Sequence, residues 1–166
     1  AYKAAVDSGC ELVMTSFNTV DGIPASGNKW LMRDVLREEW GFNGVIISDY
    51  AAIQELIAHG VAEDDREAAK LGIEAGVDID MKTPVYSNQL EGLVKDGVIS
   101  EELIDEAVWR ILNLKNKLGL FENPYRGANI DKEREVILSP EKRKLARKIS
   151  GESIVLLENN GVLPLS

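Results

Sequence analysis

Val45, Ile46 and Ile47 are three consecutive β-branched residues, introduced by Gly44 and followed by Ser48 and Asp49. A branched run without polar alternation is the pattern of a strand covered on both faces, as in parallel sheets flanked by helices. Asp49 is thereby placed at the carboxyl end of a buried strand, with Tyr50 beside it and a helical pattern from about Ala51. In parallel α/β folds, that edge is where ligands bind and chemistry happens. Asp is also a preferred N-cap residue. Two readings therefore stand: a carboxylate offered to a ligand, or a cap on the following helix.

The flanking sequence supplies the rest of a repeating unit. Tyr2, Ala5 and Val6 fall at helical spacing before Gly9, which reads as the tail of a helix. Leu12 to Phe17 reads as a strand, and Asn18 to Asn28, with Asp21-Gly22 and Pro24, as a loop. A long loop after a strand's carboxyl end is more often functional than decorative. Leu31, Val35 and Leu36 mark the apolar face of a helix running to about Glu39. Beyond the Gly44 to Asp49 strand, Ala52, Ile53, Leu56 and Ile57 predict a helix stopped near His59-Gly60. Asp64 to Glu74 predicts another, ended by Gly76, and Val77 to Met81 a third strand.

Tyr86 to Lys95 and Ser100 to Leu118 read as the next helices, the second with Ser100 as N-cap. Its acids lie early and Lys115 and Lys117 late, which complements the helix dipole. Periodicity fades from Phe121 to Leu138, as in a linker. Ser139-Pro140 then opens a helix whose solvated face carries Lys142, Arg143, Lys144, Arg147 and Lys148. Gly161 and Pro164 mark a turn-rich end. Strand and helix alternate three times, which predicts an α/β chain with a parallel sheet and right-handed crossovers.

Composition excludes several functions. The net charge of −9 argues against nucleic acid and against an anionic membrane surface, both of which select basic patches. The five basic residues after Pro140 lack interleaved aromatics and read as a helix face. No apolar run approaches the length of a membrane span, and no signal-peptide pattern opens the chain. Cys10 and His59 are each the only residue of their type, so neither an intrachain disulfide nor a thiolate cluster is expected. His59 is read as a cap or surface residue at a helix end. Asp78-Ile79-Asp80 is read as the end of a strand, and no metal or cofactor is expected.

A set of motifs then narrows the reading. Trp40 to Tyr50, Val13-Met14-Thr15-Ser16-Phe17-Asn18, Asp21-Gly22-Ile23-Pro24-Ala25 and Asn28-Lys29-Trp30-Leu31-Met32 resemble glycoside hydrolase family 3. The segments from Ala75 to Met81, Leu118 to Tyr125 and Glu152 to Leu165 extend the resemblance in family order over nearly the whole chain. That family pairs a (β/α)8 TIM-type barrel with an α/β sandwich domain. A barrel needs eight strands and typically about 250 residues, so three strands cannot close one. The resemblance therefore implies the C-terminal portion of a barrel over residues 1–120, a linker over 121–138, and over 139–166 a helix and the start of the second domain.

The resemblance also implies a chemistry. Asp49 matches the family's Ser-Asp-aromatic motif and would be the nucleophile of a retaining exo-β-glycosidase acting on a terminal β-D-glucosyl residue, with a β-xylosidase as a near variant. Tyr50 stands where many members have Trp, and Phe17 where many have Tyr, so one sugar-bonding hydroxyl is missing. Met14 and Met81 belong to strands expected to face the barrel interior, as core or as sugar contacts. The general acid and a Lys-His sugar-binding pair lie outside this chain in the family. Glu152 and Glu158 read as surface or linker. The implied partners are a β-glucoside or oligosaccharide and the remainder of the parent enzyme, in a compartment that could be periplasmic, secreted or cytoplasmic. Alone, the fragment is expected to be inactive and to self-associate.

Two other classes compete. A non-catalytic carbohydrate-binding or scaffold fragment would use Asp49 only as a cap. An aldolase or phosphate-binding barrel would need a Schiff-base Lys or a Gly-rich loop. Lys82 follows a strand without supporting partners, and the glycines are scattered as stops.

Overall fold

The computed structural model describes residues 1–165, in a first unit Ala1–Pro124 and a second beginning at Tyr125. In the first unit, helix α1 (Tyr2–Asp7) leads into strand β1 (Leu12–Met14). A small hairpin follows, strands β2 (Thr19–Val20) and β3 (Ile23–Pro24) pairing antiparallel around Asp21-Gly22. Both turn residues have positive φ, 52° and 81°. That is the two-residue turn that Asp-Gly favours, because Gly tolerates the left-handed region without a Cβ clash. A 3-10 turn (Ala25–Gly27) and a π-helix (Trp30–Glu39) connect to strand β4 (Val45–Ile47).

β1 and β4 pair in parallel, with Met14 opposite Ile47. Gly44 makes this approach possible, since a Cβ there would lie 2.3 Å from the Glu11 carbonyl oxygen and 2.6 Å from the Phe42 ring. Helix α2 (Glu55–Ala58) and helix α3 (Asp65–Ala75) follow, and Ile79 forms a single parallel bridge to Ile47. Helices α4 (Val85–Lys95) and α5 (Glu101–Lys117) complete the unit. Ile46, Ile53, Leu56, Ile73, Val77 and Leu93 form the centre of the core. Each fully buried aliphatic side chain of this kind contributes about 1.5–3 kcal/mol.

Sequence signals explain the helix ends. Asp64 Oδ1 accepts the Glu67 N–H at 2.9 Å to start α3, and Gly76 ends it at φ 91°. Ser100 Oγ accepts the Glu102 N–H at the start of α5. In the second unit, helix α7 (Pro140–Ser153) begins with Ser139 Oγ accepting the Lys142 N–H, and its basic residues are exposed.

The structure departs from the sequence reading in five places. The first strand stops at Met14 rather than Phe17. Beyond it the Thr15 N–H still bonds the Ile47 carbonyl, but the Asp49 N–H goes to the Thr15 hydroxyl instead of continuing the ladder. The third strand shrinks to one bridge, because Asp78 Oδ2 takes the Ile46 N–H at 2.8 Å. The helix expected from Ala51 begins only at Glu55, since Ala51 has φ 61° and sends its N–H to the Met81 carbonyl. The helix after Lys29 is wound as a π-helix, with Arg33 bonding the Glu74 carbonyl and Arg37 the Gly76 carbonyl. The stretch 121–138 contains a capped helix, α6 (Ile130–Val136), with Asn129 Oδ1 accepting the Lys132 N–H.

One buried charge cluster ties these elements together. The Asp78 carboxylate is 1% exposed and meets Arg37 at 2.8 Å and Arg110 at 3.0 Å. Arg37 also donates to the carbonyls of Gly44 and Gly76, at 3.0 and 2.9 Å. Burial lowers the Arg37 pKa from its ordinary value, against the raising influence of Asp78. The cluster links the π-helix, β4, the Val77–Met81 segment and α5. Such a network is costly to leave half-formed.

Candidate active site

Side chains alternate across a strand, and register partners in parallel strands share a face. Met14, Ile47 and Ile79 therefore lie on one face, and Asp49 and Met81 follow two residues further along it. Met14 is 45% exposed, and Ile47, Ile79, Asp49 and Met81 are half-buried. This face ends in the rim where the strands deliver Asp49.

Asp49 is fixed through its backbone. Its N–H donates to Thr15 Oγ1 at 3.3 Å, and Ser48 Oγ donates to its carbonyl oxygen at 3.0 Å. Ser48 Oγ in turn accepts the Met81 N–H at 2.8 Å. Thr15 Oγ1 and Ser26 Oγ are 2.7 Å apart, and both residues are buried. The carboxylate accepts the Tyr50 N–H through Oδ1 at 2.6 Å. Asp49 does not start α2: Gln54 is its N-cap and makes no side-chain cap bond. The cap reading of Asp49 is corrected accordingly.

Tyr50 is 58% exposed, and the Lys82 ammonium lies 5.1 Å from its ring centroid. A cation over an aromatic face is a weakly attractive arrangement at an exposed site. Phe17 lies in the loop after β1 and is 39% exposed. Met81 reaches the same rim through its backbone bonds to Ser48 and Ala51. His59 is the exposed C-cap residue of α2.

A second carboxylate, Asp80, follows Ile79. It accepts the Thr83 hydroxyl at 2.7 Å and the Tyr86 N–H at 3.3 Å, at the start of α4. Burial raises its pKa, opposed by those hydrogen bonds. Its oxygens are engaged in holding the helix start, which makes it a structural carboxylate. A cavity of about 250 Å³ lies elsewhere, beside β1, lined by Val13, Met14, Leu31, Met32, Leu36 and Trp40 among others. Asp49 does not line it, although its partner Thr15 does, and the lining is mostly apolar.

Sequence reasoning missed Thr15, Ser26 and Ser48. Thr15 and Ser48 sit inside the quoted motifs, but nothing in their spacing announces a bond to Asp49. Ser26 meets Thr15 only because the Asp21-Gly22 hairpin turns the chain back.

Comparison with known proteins gives the arrangement a family. Residues 1–114 match the Glycosyl hydrolase family 3 N-terminal domain. A periplasmic beta-glucosidase of Salmonella typhimurium is 42% identical over 99% of this chain, which spans 22% of that protein. A putative beta-xylosidase of Formosa agariphila is 39% identical over 99% of this chain and 22% of its own length. The crystal structure of beta-glucosidase from Listeria innocua in complex with glucose superposes with a TM-score of 0.82 at 55% identity, covering 99% of this chain and 23% of that one. The chain thus spans under a quarter of the length of these relatives, and the family match takes in more than half of the chain itself. On that match, the chain belongs to glycoside hydrolase family 3.

Proposed function

We propose that this chain is the part of a retaining exo-β-glycosidase that carries the nucleophile, Asp49. The observation that supports it best is the carboxylate at the carboxyl end of the parallel strands, held through its backbone by buried hydroxyls and joined to no cation by an ion pair among the described residues. A retaining enzyme places two carboxyl groups about 5–5.5 Å apart around the scissile bond. Asp49 attacks the anomeric carbon as the bond to the leaving oxygen breaks, and an acid supplies the proton to that oxygen. Water then takes the sugar from the aspartyl ester, and the former acid receives the water's proton. Of the two carboxylates at the rim, Asp80 is committed to α4, so the acid is assigned to the remainder of the parent enzyme.

In this reading residues 1–120 are the last βα units of a (β/α)8 barrel, 121–138 a linker, and 139–166 the opening of the sandwich domain. Tyr50 offers a ring to the sugar's apolar face, and Met14, Phe17 and Met81 border the site. The substrate is a terminal β-glucoside, with β-xyloside as the near alternative given the Formosa agariphila relative. β1 pairs with β4 alone among the described residues, leaving its other edge open. The isolated chain is therefore expected to self-associate, and sedimentation as a stable monomer would contradict that.

The test is intact-mass analysis and peptide mapping of the full-length parent enzyme after incubation with an activated 2-deoxy-2-fluoro-β-glucoside, with the xyloside in parallel. One glycosyl adduct on Asp49 is expected. An adduct on another carboxylate, or none with either sugar, would sink the assignment.

A further inference from the structure

The Asp49 N–H emerges where the parallel ladder ends, and a buried backbone donor must find an acceptor. It finds Thr15 Oγ1, a side chain on the neighbouring strand's continuation, at 3.3 Å. Thr15 is 3% exposed and Ser26, 2.7 Å behind it, is fully buried. Ser26 belongs to a turn that is itself pinned. The Ala25 N–H bonds the Asn18 carbonyl at 3.1 Å, and Asn28 donates to the Val20 carbonyl at 3.1 Å while accepting the Leu31 N–H at 3.0 Å. A Cβ on the adjacent Gly27 would lie 3.0 Å from Leu56 Cδ2, so the turn is also packed against α2.

From this geometry, we propose that Thr15 and Ser26 form a buried hydroxyl pair that positions the nucleophile, transmitting the rigidity of the hairpin and its following turn to the Asp49 backbone. The proposal rests on the reading of Asp49 as nucleophile. Ser48 holds the other side of the same residue, through the Asp49 carbonyl. Backbone restraint on both sides leaves the carboxylate with one oxygen on the Tyr50 N–H and with no ion pair among the described residues. A buried hydroxyl pair adds little to stability beyond what an apolar pair of the same shape supplies, apart from about 1–3 kcal/mol for the Asp49 N–H that would lose its acceptor. Its distinct consequence is where Asp49 points, and a misplacement of about 1 Å is enough to cost on the order of 10²-fold in rate.

The experiment compares wild type, Thr15→Ser, Thr15→Val and the double variant Thr15→Val/Ser26→Ala in the full-length enzyme. It measures the rate of Asp49 adduct formation with the activated 2-deoxy-2-fluoro-β-glucoside, kcat and KM separately, and Tm. The double variant should keep its Tm within a few degrees, keep KM within about twofold, and lose on the order of 10- to 100-fold in both kcat and adduct rate. Thr15→Ser, which retains the hydroxyl, should stay within about threefold of wild type. Wild-type adduct rates in the double variant would overturn the positioning role while leaving Asp49 as nucleophile. So would an equal loss in Thr15→Ser, or a loss that tracks Tm. An unlabelled Asp49 in wild type would overturn the nucleophile assignment itself, and the positioning role with it.

Discussion

Ile46 and Ile47 are neighbours in one strand, yet they report two different environments. Ile46 is fully buried against the helices, on the face that also carries Val13, Thr15 and Ser48. Ile47 is half-buried on the face that carries Met14 and leads to Asp49. The first face invests its burial in stability and in the hydroxyls that grip Asp49. The second leaves side chains such as Met14 accessible beside the carboxylate. Period-2 alternation alone separates them, so a shift of one residue would exchange scaffold and site.

The sharpest way to test that division is to compare one substitution on each side. On the proposed role of Asp49 as nucleophile, Asp49→Asn should lower kcat of the full-length enzyme by about a thousandfold or more. Its Tm should move by less than about 3 °C, since the carboxylate makes no ion pair among the described residues. Asp78→Ala should do the reverse in stability, costing about 3–5 kcal/mol in urea unfolding, because it strands the buried guanidinium of Arg37 and leaves Arg110 without its inner partner. Ile46→Ala should cost about 3 kcal/mol through the cavity it opens.

Much of this arrangement could be read from residue types. The branched run Val45 to Ile47 marked the central strand, and its polar end put Asp49 at the carboxyl edge. Ser100, Ser139 and Gly76 marked helix ends because their chemistry is local. What escaped depends on atoms brought together from a distance. The left-handed φ of Ala51 is unusual for alanine and is imposed by the bond to the Met81 carbonyl, which is why the next helix starts late. Asp78 looked like the end of a strand, but its carboxylate replaces a ladder carbonyl for the Ile46 N–H. Thr15 and Ser26 are eleven residues apart, and their pairing follows only once the hairpin is formed. Asp21-Gly22 carried that hairpin signal within a stretch that reads as loop.

The smallest expected effect concerns Asp80, which stands between the two environments as a half-buried carboxylate at the rim with its oxygens turned to α4. Burial raises its folded-state pKa from the ordinary aspartate value. An acid whose pKa is raised on folding binds a proton more readily in the folded chain than in the unfolded one. Its contribution is therefore most favourable below the unfolded value, near 4, and is lost as pH rises through the folded value. Asp80→Asn removes that titration while retaining an oxygen for the Thr83 hydroxyl and the Tyr86 N–H. Wild type should lose stability relative to this variant as pH rises through that window, with the difference constant above it. Thermal melts of the two proteins across the mildly acidic range measure it directly. The opposite slope would mean that the hydrogen bonds from Thr83 and Tyr86 outweigh burial, and that Asp80 belongs with the ionised, cap-type carboxylates such as Asp64.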